Sequence, residues 1–488
     1  MNTKKSVFAM ICFTLFFFSG VLNVKAAAVD SAVEIFKECR VYSFEMDSIK
    51  DKNIIVNWKY SNNYTTDSDN GDYTNPYIDI EGFEIQVCTD KDYPADKVIT
   101  YKTADYAGNK QSADYTYKIP ISVLGKNGGK LYARIRAYGK IKTIESIFSD
   151  DEPTNIQVGD VVYGDYQNLT CWGGSRMLTN FEEDMERDYC EYVKITKDNF
   201  GGMYSLMKNG YYYCDEKGVK TYYDKNRDGW LDPSEIFDIS RIFNYKYEKS
   251  PTSKKYEMIF GTNTYQCKIS DLDGLKYLPW VSSIQIRDYT GTKLDLSQYR
   301  HMRSVSIREF WQSKFQLIAP DVKEIDIESE TGGSWSKAQL ASVDVSKCNA
   351  VVRLTLGGSY YKYLTAKLPT SAKDLRWISL SYNKDKTINL NKYKKLNLAY
   401  FYVDKFTKCQ MEQCTKLNYA YFYCSDQISS VNLKNAKSLK GADVYKCKKL
   451  TPSALKTVKK TKITTNKGRW WEASKEFQKI IDDIYGSY

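Results

Sequence analysis

Two closely similar stretches near the C-terminus decide the fold: residues 396–402 read LNLAYFY, and residues 417–423 read LNYAYFY. Each consists of an apolar residue, two spacers, a second apolar residue, one spacer and a third apolar residue. Eight stretches follow this template, and their first positions differ by 21, 20, 29, 24, 21, 21 and 22 residues. The apolar positions are Val281, Ile284, Ile286; Met302, Val305, Ile307; Val322, Ile325, Ile327; Val351, Leu354, Leu356; Leu375, Ile378, Leu380; Leu396, Ala399, Phe401; Leu417, Ala420, Phe422; and Leu439, Ala442, Val444. Such a period indicates a solenoid.

The template also explains how the array folds. A single unit, a short strand with a return segment, cannot bury its apolar edge, whereas stacked units share one core and one parallel sheet. The pattern resembles leucine-rich repeats, and we therefore predict a leucine-rich-repeat solenoid over residues 273–452. In that family an asparagine ladder follows the strands; Asn383 occupies the corresponding position, and Asp404 is a candidate substitute in the next unit.

Aromatic residues accumulate at the spacer positions of the last four units. Strand side chains alternate, so these residues share the face opposite the core, and a solenoid presents that face as an extended concave surface. Tyr382 has the parity of a core residue and belongs to the face only if its strand ends before it. We predict a ligand-binding face formed by Trp377, Tyr382, Tyr400, Tyr402, Tyr419, Tyr421, Tyr423 and Tyr445. The alternative is a tyrosine ladder that only stiffens the sheet.

The chain has 12 cysteines, and the repeat accounts for several of them. Cys348 and Cys414 each stand three residues before the first apolar residue of the next unit, and Cys447 stands three residues after Val444. A cysteine at such a position behaves as a small buried hydrophobe. We therefore expect free, buried thiols there rather than disulfides or a metal cluster. The single histidine, His301, excludes a zinc site with two histidine ligands.

Residues 224–235 read DKNRDGWLDPSE and match the EF-hand calcium loop. Oxygen ligands at alternate positions converge on one calcium ion, a glycine at the sixth position permits the turn, and a glutamate closes the loop. The predicted calcium ligands are Asp224, Asn226, Asp228, the Trp230 carbonyl, Asp232 and Glu235. The aromatic stretch before the loop predicts a distorted or absent entering helix, whereas Pro233–Phe243 is predicted to be helical. We expect an EF-hand-like segment over 193–272 that caps the repeats; the alternative is an acidic turn without metal.

Residues 40–156 alternate apolar and polar positions in short strands separated by turn signals. Three of these strands are Ile54–Trp58, Gly82–Val87 and Leu131–Tyr138, and Trp58 is a candidate core anchor. About seven strands over roughly 110 residues is typical of a β-sandwich. Together the strands resemble a fibronectin type III module, with another kind of β-sandwich as the alternative. Residues 157–192 show no period and are expected to form a connector.

Both ends of the chain carry recognisable segments. A charged start, an apolar run from Val7 to Leu22 and a small-residue exit predict a secretory signal peptide over residues 1–28; the alternative is an uncleaved anchor. Residues 453–488 are predicted to form a C-terminal helical cap on the solenoid, because the segment from Trp470 to Ile481 has helical spacing.

The order of these parts predicts a multidomain protein and resembles exported leucine-rich-repeat proteins of the Gram-positive cell surface, broadly internalin-like in concept. The resemblance implies a secreted or cell-surface protein that binds or adheres through the concave face of its repeats. The expected ligand is a protein or a polysaccharide. Between Val431 and Trp470 twelve Lys and Arg stand against one acid, Asp443, which favours an anionic ligand; the alternative is a solvated basic end. Nucleic acid is not expected as a partner, and membrane contact is expected to be peripheral or absent. The alternatives are a secreted carboxylate-based hydrolase and a purely structural surface protein.

Overall fold

The computed structural model of the chain describes residue 36 and residues 41–61, 78–104, 112–142, 157–169, 171–172, 186–258, 265–310, 312–329, 340–450, 455–456 and 462–464. The chain divides into two compact units, residues 1–193 with 232–234 and residues 194–231 with 235–488. The predicted signal peptide lies outside the described residues. Among the helices that are described, none is long and apolar enough to span a membrane.

The first unit is built from antiparallel strands. They are β1 (Val41–Lys50), β2 (Asn53–Ser61), β3 (Ile78–Cys88), β4 (Ile99–Thr103), β5 (Ser112–Pro120), β6 (Gly128–Ile141), β7 (Val161–Tyr163), β8 (Gln167–Asn168), β9 (Cys171–Trp172), β10 (Glu186–Arg187) and β11 (Tyr189–Lys194), with a 3₁₀ helix at Ile121–Leu124. One sheet has the order β1-β2-β5, and another has the order β11-β6-β3-β4. The long strand β6 pairs with β3 along one edge and with β11, β8 and β7 along the other.

Trp58 joins these two sheets through their aromatic residues. It is buried on β2, and its ring centroid lies 5.3 Å from that of Phe83 on β3 and 5.6 Å from that of Tyr115 on β5. Aromatic pairs of this kind contribute about 0.5–1.5 kcal/mol beyond the area they bury. The first unit therefore has its own core, with Trp58 in the position that the sequence indicates.

Residues 157–192, expected to be a connector, contribute β7, β8 and β11 to the sheet around β6. Cation–π contacts hold part of this segment, because the Arg136 guanidinium lies 3.9 Å from the Tyr163 ring centroid and 4.2 Å from that of Tyr166. Buried Glu84 accepts hydrogen bonds from Arg136 Nε at 2.9 Å and from the Tyr166 hydroxyl at 2.6 Å. The strands β7 and β8 have three and two residues, too few for an alternating pattern to reveal them.

Small elements precede the repeats in the second unit. They are helix α1 (Lys197–Phe200), a 3₁₀ helix at Gly201–Met203, α2 (Tyr204–Asn209), β12 (Tyr211–Cys214), β13 (Lys220–Tyr222), β14 (Trp230–Leu231), α3 (Pro233–Asp238), β15 (Arg241–Phe243), β16 (Tyr247–Lys249), β17 (Tyr256–Met258) and a 3₁₀ helix at Asp273–Tyr277. The antiparallel pair β12–β13 precedes the predicted calcium loop, so no helix enters it over residues 211–222. The helix after the loop ends at Asp238, and its predicted extension to Phe243 is wrong because residues 241–243 pair with the first repeat strand.

The repeats supply the remaining strands. They are β18 (Ser283–Tyr289), β19 (Lys293–Asp295), β20 (Ser304–Phe310), β21 (Lys314–Ile318), β22 (Glu324–Glu328), β23 (Ser342–Asp344), β24 (Arg353–Gly357), β25 (Thr365–Lys367), β26 (Trp377–Ser381), β27 (Thr387–Asn389), β28 (Leu398–Tyr402), β29 (Lys408–Gln410), β30 (Tyr419–Tyr423), β31 (Ser430–Asn432), β32 (Gly441–Tyr445), β33 (Leu455–Lys456) and β34 (Lys462–Thr464). β15 and the even-numbered strands form a ten-stranded sheet in chain order, the main sheet. The odd-numbered strands form two four-stranded sheets, β19-β21-β23-β25 and β27-β29-β31-β33. The chain is mostly β, and the predicted repeat solenoid is confirmed.

The apolar template forms the solenoid core. Every apolar position of the eight stretches, from Val281 to Val444, is buried. The parallel register places the middle apolar residue of each unit beside that of the next, as in the pairing of Ala399 with Ala420. In the two units with Phe at the third apolar position, the middle residue is a small alanine, and the Phe401 and Phe422 rings stack with centroids 5.2 Å apart. A small and a large side chain thus fill the core together in these two units.

The predicted helical cap differs from the structure where the two can be compared. Leu455–Lys456 forms β33, and Lys462–Thr464 forms β34, which pairs with Gly441–Asp443 of the main sheet. The solenoid therefore continues past residue 452, because this segment supplies the same two strands per coil as the preceding units. The stretch from Trp470 to Ile481, on which the helix prediction rests, lies outside the described residues.

In the main sheet, a residue with a left-handed backbone conformation follows each of the strands β26, β28, β30 and β32. The φ angles are 52° at Tyr382, 53° at Val403, 51° at Cys424 and 51° at Lys446. Only glycine adopts this conformation without a steric penalty, yet none of the four is glycine. The repeated angle turns the chain by the same amount at the end of each strand.

A ladder of side chains follows these turns and links neighbouring coils. The backbone N–H of Asn383 donates to Asp404 Oδ1 at 2.7 Å, and the N–H of Asp404 donates to Ser425 Oγ at 3.1 Å. The N–H of Ser425 donates in turn to Cys447 Sγ at 3.3 Å. All four ladder residues are buried, so the side chains of Asp404, Ser425 and Cys447 each satisfy a backbone donor that water does not reach.

Nine cysteines of the described part of the chain, from Cys88 to Cys447, are free thiols. Cys348, Cys414 and Cys447 are buried, as predicted from their place in the repeat. Cys348 Sγ donates to the Leu317 carbonyl at 3.5 Å, and Cys414 Sγ donates to the Leu390 carbonyl at 3.2 Å. Burial raises the pKa of the Cys348 and Cys414 thiols to about 12 and that of Cys447 to about 11. These thiols are therefore protonated at neutral pH.

We predict that Cys348, Cys414 and Cys447 resist alkylation in the folded protein and react after denaturation. The reactive species is the thiolate, and burial keeps these residues both protonated and shielded. Iodoacetamide labelling followed by peptide mass spectrometry measures this, with half-buried Cys424 as the internal control that reacts first. A disulfide joining any two of the three would contradict the solenoid in this region.

We predict that Asp404→Asn stabilises the protein at pH 7. Burial raises the pKa of Asp404 well above the ordinary value of 3.8. Its contribution to stability is therefore present below the unfolded pKa and is lost as the pH rises through the folded pKa. An asparagine keeps the acceptor for the Asn383 N–H and removes the ionisable group.

The melting temperature of the Asp404→Asn variant should rise by about 2 °C or more at pH 7, with a smaller difference at pH 4. Asn383→Asp provides the matched control, since the Asn383 amide donates to Asp385 Oδ2 at 3.0 Å and an acid there would face a second carboxylate. That variant should melt lower at pH 7. Equal melting temperatures for wild type and Asp404→Asn at both pH values would contradict the prediction.

Candidate functional site

The predicted ligand residues lie on the outward side of the main sheet, opposite the core. The register aligns them in three rows across β26, β28, β30 and β32. The rows are Trp377, Leu398, Tyr419 and Gly441; Ser379, Tyr400, Tyr421 and Asp443; and Ser381, Tyr402, Tyr423 and Tyr445. We call the aromatic residues of these rows, together with Leu398, the aromatic face. The structure thus brings seven of the eight predicted residues together on one surface.

The side chains of the aromatic face pack against each other. Trp377, Leu398 and Tyr419 form a buried cluster against which Tyr400 and Tyr421 pack. Ring centroids are 6.4 Å apart for Tyr400 and Tyr421, 5.8 Å for Tyr400 and Tyr423, and 5.6 Å for Tyr423 and Tyr445. The rings therefore hold one another in place before any ligand arrives.

Tyr382 is included in the face on the condition that its strand ends before it, and the structure meets this condition. Strand β26 ends at Ser381, and the left-handed backbone of Tyr382 removes the side chain from the alternation that would point it into the core. Its ring centroid lies 5.6 Å from that of Tyr402 and 5.8 Å from that of Tyr363. Tyr382 therefore adjoins the aromatic face at the end of the strands.

Charged groups lie at the margins of the aromatic face. The Arg353 guanidinium lies 4.6 Å from the Trp377 ring centroid, and Lys446 Nζ lies 5.1 Å from that of Tyr445. The Tyr423 hydroxyl donates to Asp443 Oδ2 at 3.2 Å. Burial raises the pKa of Tyr400 and Tyr421 above the ordinary value of 10.0. These phenols are therefore neutral at physiological pH and offer hydroxyl groups and ring faces rather than charge.

Sequence reasoning missed a polar pocket on the outward side of the first repeat strands. Its cavity has a volume of about 380 Å³, and its lining includes Tyr245, Ser304, Ser306 and Asp326. It lies over β18, β20, β22 and β24, where the outward positions are small or charged instead of aromatic. The alternating sequence pattern shows which strand residues point outward here. It does not show that Tyr245, which precedes the repeats, lines one side of the pocket.

The predicted calcium loop forms a tight turn. Gly229 at its sixth position has a φ of 87°, the left-handed conformation that this position requires. Gly229 N–H donates to Asp224 Oδ2 at 3.0 Å, and Trp230 N–H donates to Asp228 Oδ1 at 2.8 Å. The N–H of Lys225 donates to Glu235 Oε1 at 2.6 Å, which closes the loop on itself.

The predicted calcium ligands are oxygen donors, which suit calcium, but their side chains differ in exposure. Asp224 and Glu235 are buried, Asn226 and Asp228 are exposed, and Asp232 is buried within the short segment assigned to the first unit. In the described part of the chain, no three His, Cys, Asp or Glu side chains are grouped so as to hold a metal ion. The loop therefore has the turn that the motif predicts. Its carboxylates are not gathered around one point.

Comparison with known proteins gives distant likenesses only. No protein-family model matches the chain, and no curated protein matches it. Among solved structures, the chain is similar to the functional domain of InlJ from Listeria monocytogenes, which includes a cysteine ladder, at 13% identity and a TM-score of 0.23 over 53% of this chain and 62% of that one. This chain thus spans less than two thirds of that protein.

A second similar structure is an internalin (inlF) from Listeria monocytogenes str. 4b F2365, at 10% identity and a TM-score of 0.19. The likeness covers 49% of this chain and 90% of that one. At these identities and TM-scores neither structure supports an argument about function, which rests instead on the residues of this chain.

Proposed function

We propose that the protein is an exported binding protein, secreted or held at the cell surface, that recognises a protein or a glycan through the aromatic face. The observation that carries this proposal is the continuous set of aromatic rings on the outward side of β26 to β32. The solenoid core lies on the other side of the sheet, so the fold does not require large rings there. The predicted signal peptide at residues 1–28 supports export.

Pre-ordered rings favour binding because a ligand that meets them loses less conformational entropy on association. Tyrosine supplies rigid contact area together with a hydroxyl, which is why it is enriched in recognition surfaces. The positive charges of Arg353 and Lys446 at the margins favour a partner that carries negative charge. A partner could therefore be an extended polypeptide or a polysaccharide with acidic groups.

The two rival functions predict different results. A carboxylate-based hydrolase would turn over a substrate, and a purely structural surface protein would bind no soluble ligand. The mature protein should therefore be screened on a glycan array, on a protein array and against a panel of hydrolase substrates. Capture without turnover supports the binding function; turnover favours the hydrolase.

We predict that Tyr400→Ala and Tyr421→Ala each weaken ligand capture about tenfold or more, because removing a central anchoring ring typically costs about 2 kcal/mol or more and about 1.4 kcal/mol is a factor of ten. Both residues are half-buried. Trp377 is a poorer test, since it is only 7% exposed and its removal would disturb the packing below the face. The measurement is titration of the captured array ligand against each variant.

Two controls separate recognition from stability. Tyr213→Ala removes a tyrosine that is 47% exposed and lies outside the aromatic face, so it should bind as wild type. Tyr400→Phe keeps the ring packing and loses only the hydroxyl. If both alanine variants capture the ligand at wild-type strength while remaining folded, the tyrosines belong to the scaffold and the ligand binds elsewhere.

We also propose that the loop at residues 224–235 binds one calcium ion. Five of the six predicted ligands belong to the second unit: Asp224, Asn226, Asp228, the Trp230 carbonyl and Glu235. The sixth is Asp232, which lies between Trp230 and Glu235 in the sequence. Hard oxygen donors at this spacing suit calcium. A bound ion would offset the negative charge of the buried carboxylates and fix the turn, so its role is structural.

We predict one calcium site with a dissociation constant of roughly 10⁻⁴ to 10⁻³ M, as for extracellular modules of this kind. Calorimetry should lose the binding heat in Asp228→Ala, which removes one carboxylate ligand together with the acceptor of the Trp230 N–H. Glu216→Gln is the control, since it removes an exposed carboxylate that pairs with Lys255 outside the loop. Absence of both binding heat and a calcium-dependent melting shift at millimolar calcium would refute the site.

The first unit is proposed to be a fibronectin type III-like module. Its two antiparallel sheets, their separate strand orders and the buried Trp58 between them support this assignment.

A further inference from the structure

The polar pocket over the first repeat strands is a second candidate binding site, apart from the aromatic face. Its volume of about 380 Å³ falls within the range of about 300–1,000 Å³ found for small-molecule sites. The small residues Ser304 and Ser306 lie on β20 and form its floor, and Tyr245 and Met258 stand at one side. We infer that this pocket binds an uncharged sugar ring, either free or as one unit of a glycan.

The opposite side of the pocket carries charges of both signs. Arg308 and Arg353 face Glu324 and Asp326 among its lining residues, so the formal charges cancel. An anion would meet two carboxylates, and a cation would meet two guanidinium groups. A neutral ligand with many donors and acceptors avoids both penalties, because it meets each charged group with a hydrogen bond instead of a second charge.

Asp326 supplies the most specific contact. Its Oδ2 accepts hydrogen bonds from Arg308 Nη2 at 2.8 Å and from Ser306 Oγ at 3.2 Å. Its Oδ1 is shielded from solvent and accepts no hydrogen bond from any residue that the structure describes. The side chain as a whole is 30% exposed, so a ligand hydroxyl reaches this carboxylate through its accessible edge and leaves the Arg308 contact intact.

The other lining groups match the remaining features of a sugar. A sugar hydroxyl both donates and accepts, and Gln285 offers an amide with both capacities. The half-buried Met258 side chain offers apolar surface against which the C–H face of a pyranose can pack, beside the edge of the buried Tyr245 ring. Arg353 lines the pocket and also contacts Trp377, so a longer glycan could extend from the pocket toward the aromatic face.

Saturation-transfer NMR on the whole mature protein tests the inference directly. The probes are the methyl glycosides of glucose, galactose, mannose and N-acetylglucosamine, with glucuronate and glucosamine as charged counterparts. We expect transfer to at least one neutral glycoside and weaker transfer to both charged sugars. Transfer to none of the neutral probes, or stronger transfer to a charged one, would overturn the inference.

A matched pair of variants locates the binding. Asp326→Asn and Glu328→Gln each remove one carboxylate from Arg308, whose Nη2 lies 3.2 Å from Glu328 Oε2, but only Asp326 lines the pocket. Losing a hydroxyl-to-carboxylate hydrogen bond should weaken sugar binding about tenfold in Asp326→Asn, with a change below about twofold in Glu328→Gln. Equal losses in the two folded variants would place the sugar elsewhere.

Two further variants keep this test independent of the proposed function. Ser304→Gln fills the floor of the pocket without removing an ion pair, and it should abolish the transfer even if Asp326→Asn fails to fold. Tyr421→Ala alters the aromatic face and should leave sugar binding in the pocket unchanged. Retention of transfer in Ser304→Gln, or its loss in Tyr421→Ala, would contradict a separate sugar site.

Discussion

The last coils of the solenoid each leave a buried backbone N–H at the end of the main strand, and a side chain of the next coil accepts its hydrogen bond. Asn383 depends in this way on Asp404, Asp404 on Ser425, and Ser425 on Cys447. An unsatisfied buried donor is destabilising by about 1–3 kcal/mol. No coil of this series is therefore complete until its neighbour is in place, which fixes the register of the parallel sheet and the common backbone angle at each turn.

This dependence divides the side chains into two classes. Some positions face the core or form the ladder, whereas the outward positions of the main sheet take part in neither. The chemistry along the outward side can therefore change from coil to coil while the backbone stays the same. It changes from serine, glutamine and paired charges over β18 to β22 to tyrosines over β28 to β32. Arg353, in contact with Trp377, lies where the two regions meet.

The parts of the fold that repeat are the parts that the sequence predicts well. One apolar template recurs eight times, so each copy supports the others, and all its positions are buried. The ladder was harder to predict, because Ser425 and Cys447 can accept a hydrogen bond but are not asparagine. The strands at 157–169 and 455–464 were missed because strands of two or three residues show no alternation. The polar pocket depends on Tyr245 meeting β20 from outside the repeat, and no local pattern encodes that contact.

A stiffening role for the tyrosines and a binding role do not exclude each other. If the rings only stiffened the sheet, cross-strand pairs of aliphatic residues would serve as well, and hydroxyl groups at half-buried positions would add little. Tyr423 nevertheless directs its hydroxyl to Asp443, and burial keeps the Tyr400 and Tyr421 phenols protonated. The packing therefore fixes the orientation of neutral hydroxyl groups at the surface of a sheet whose backbone is already held by the ladder. For a ligand of the proposed kind, the ring surfaces and the Tyr400 and Tyr421 hydroxyls would already be in place, and the contacts that stiffen the sheet would lower the entropy lost on binding.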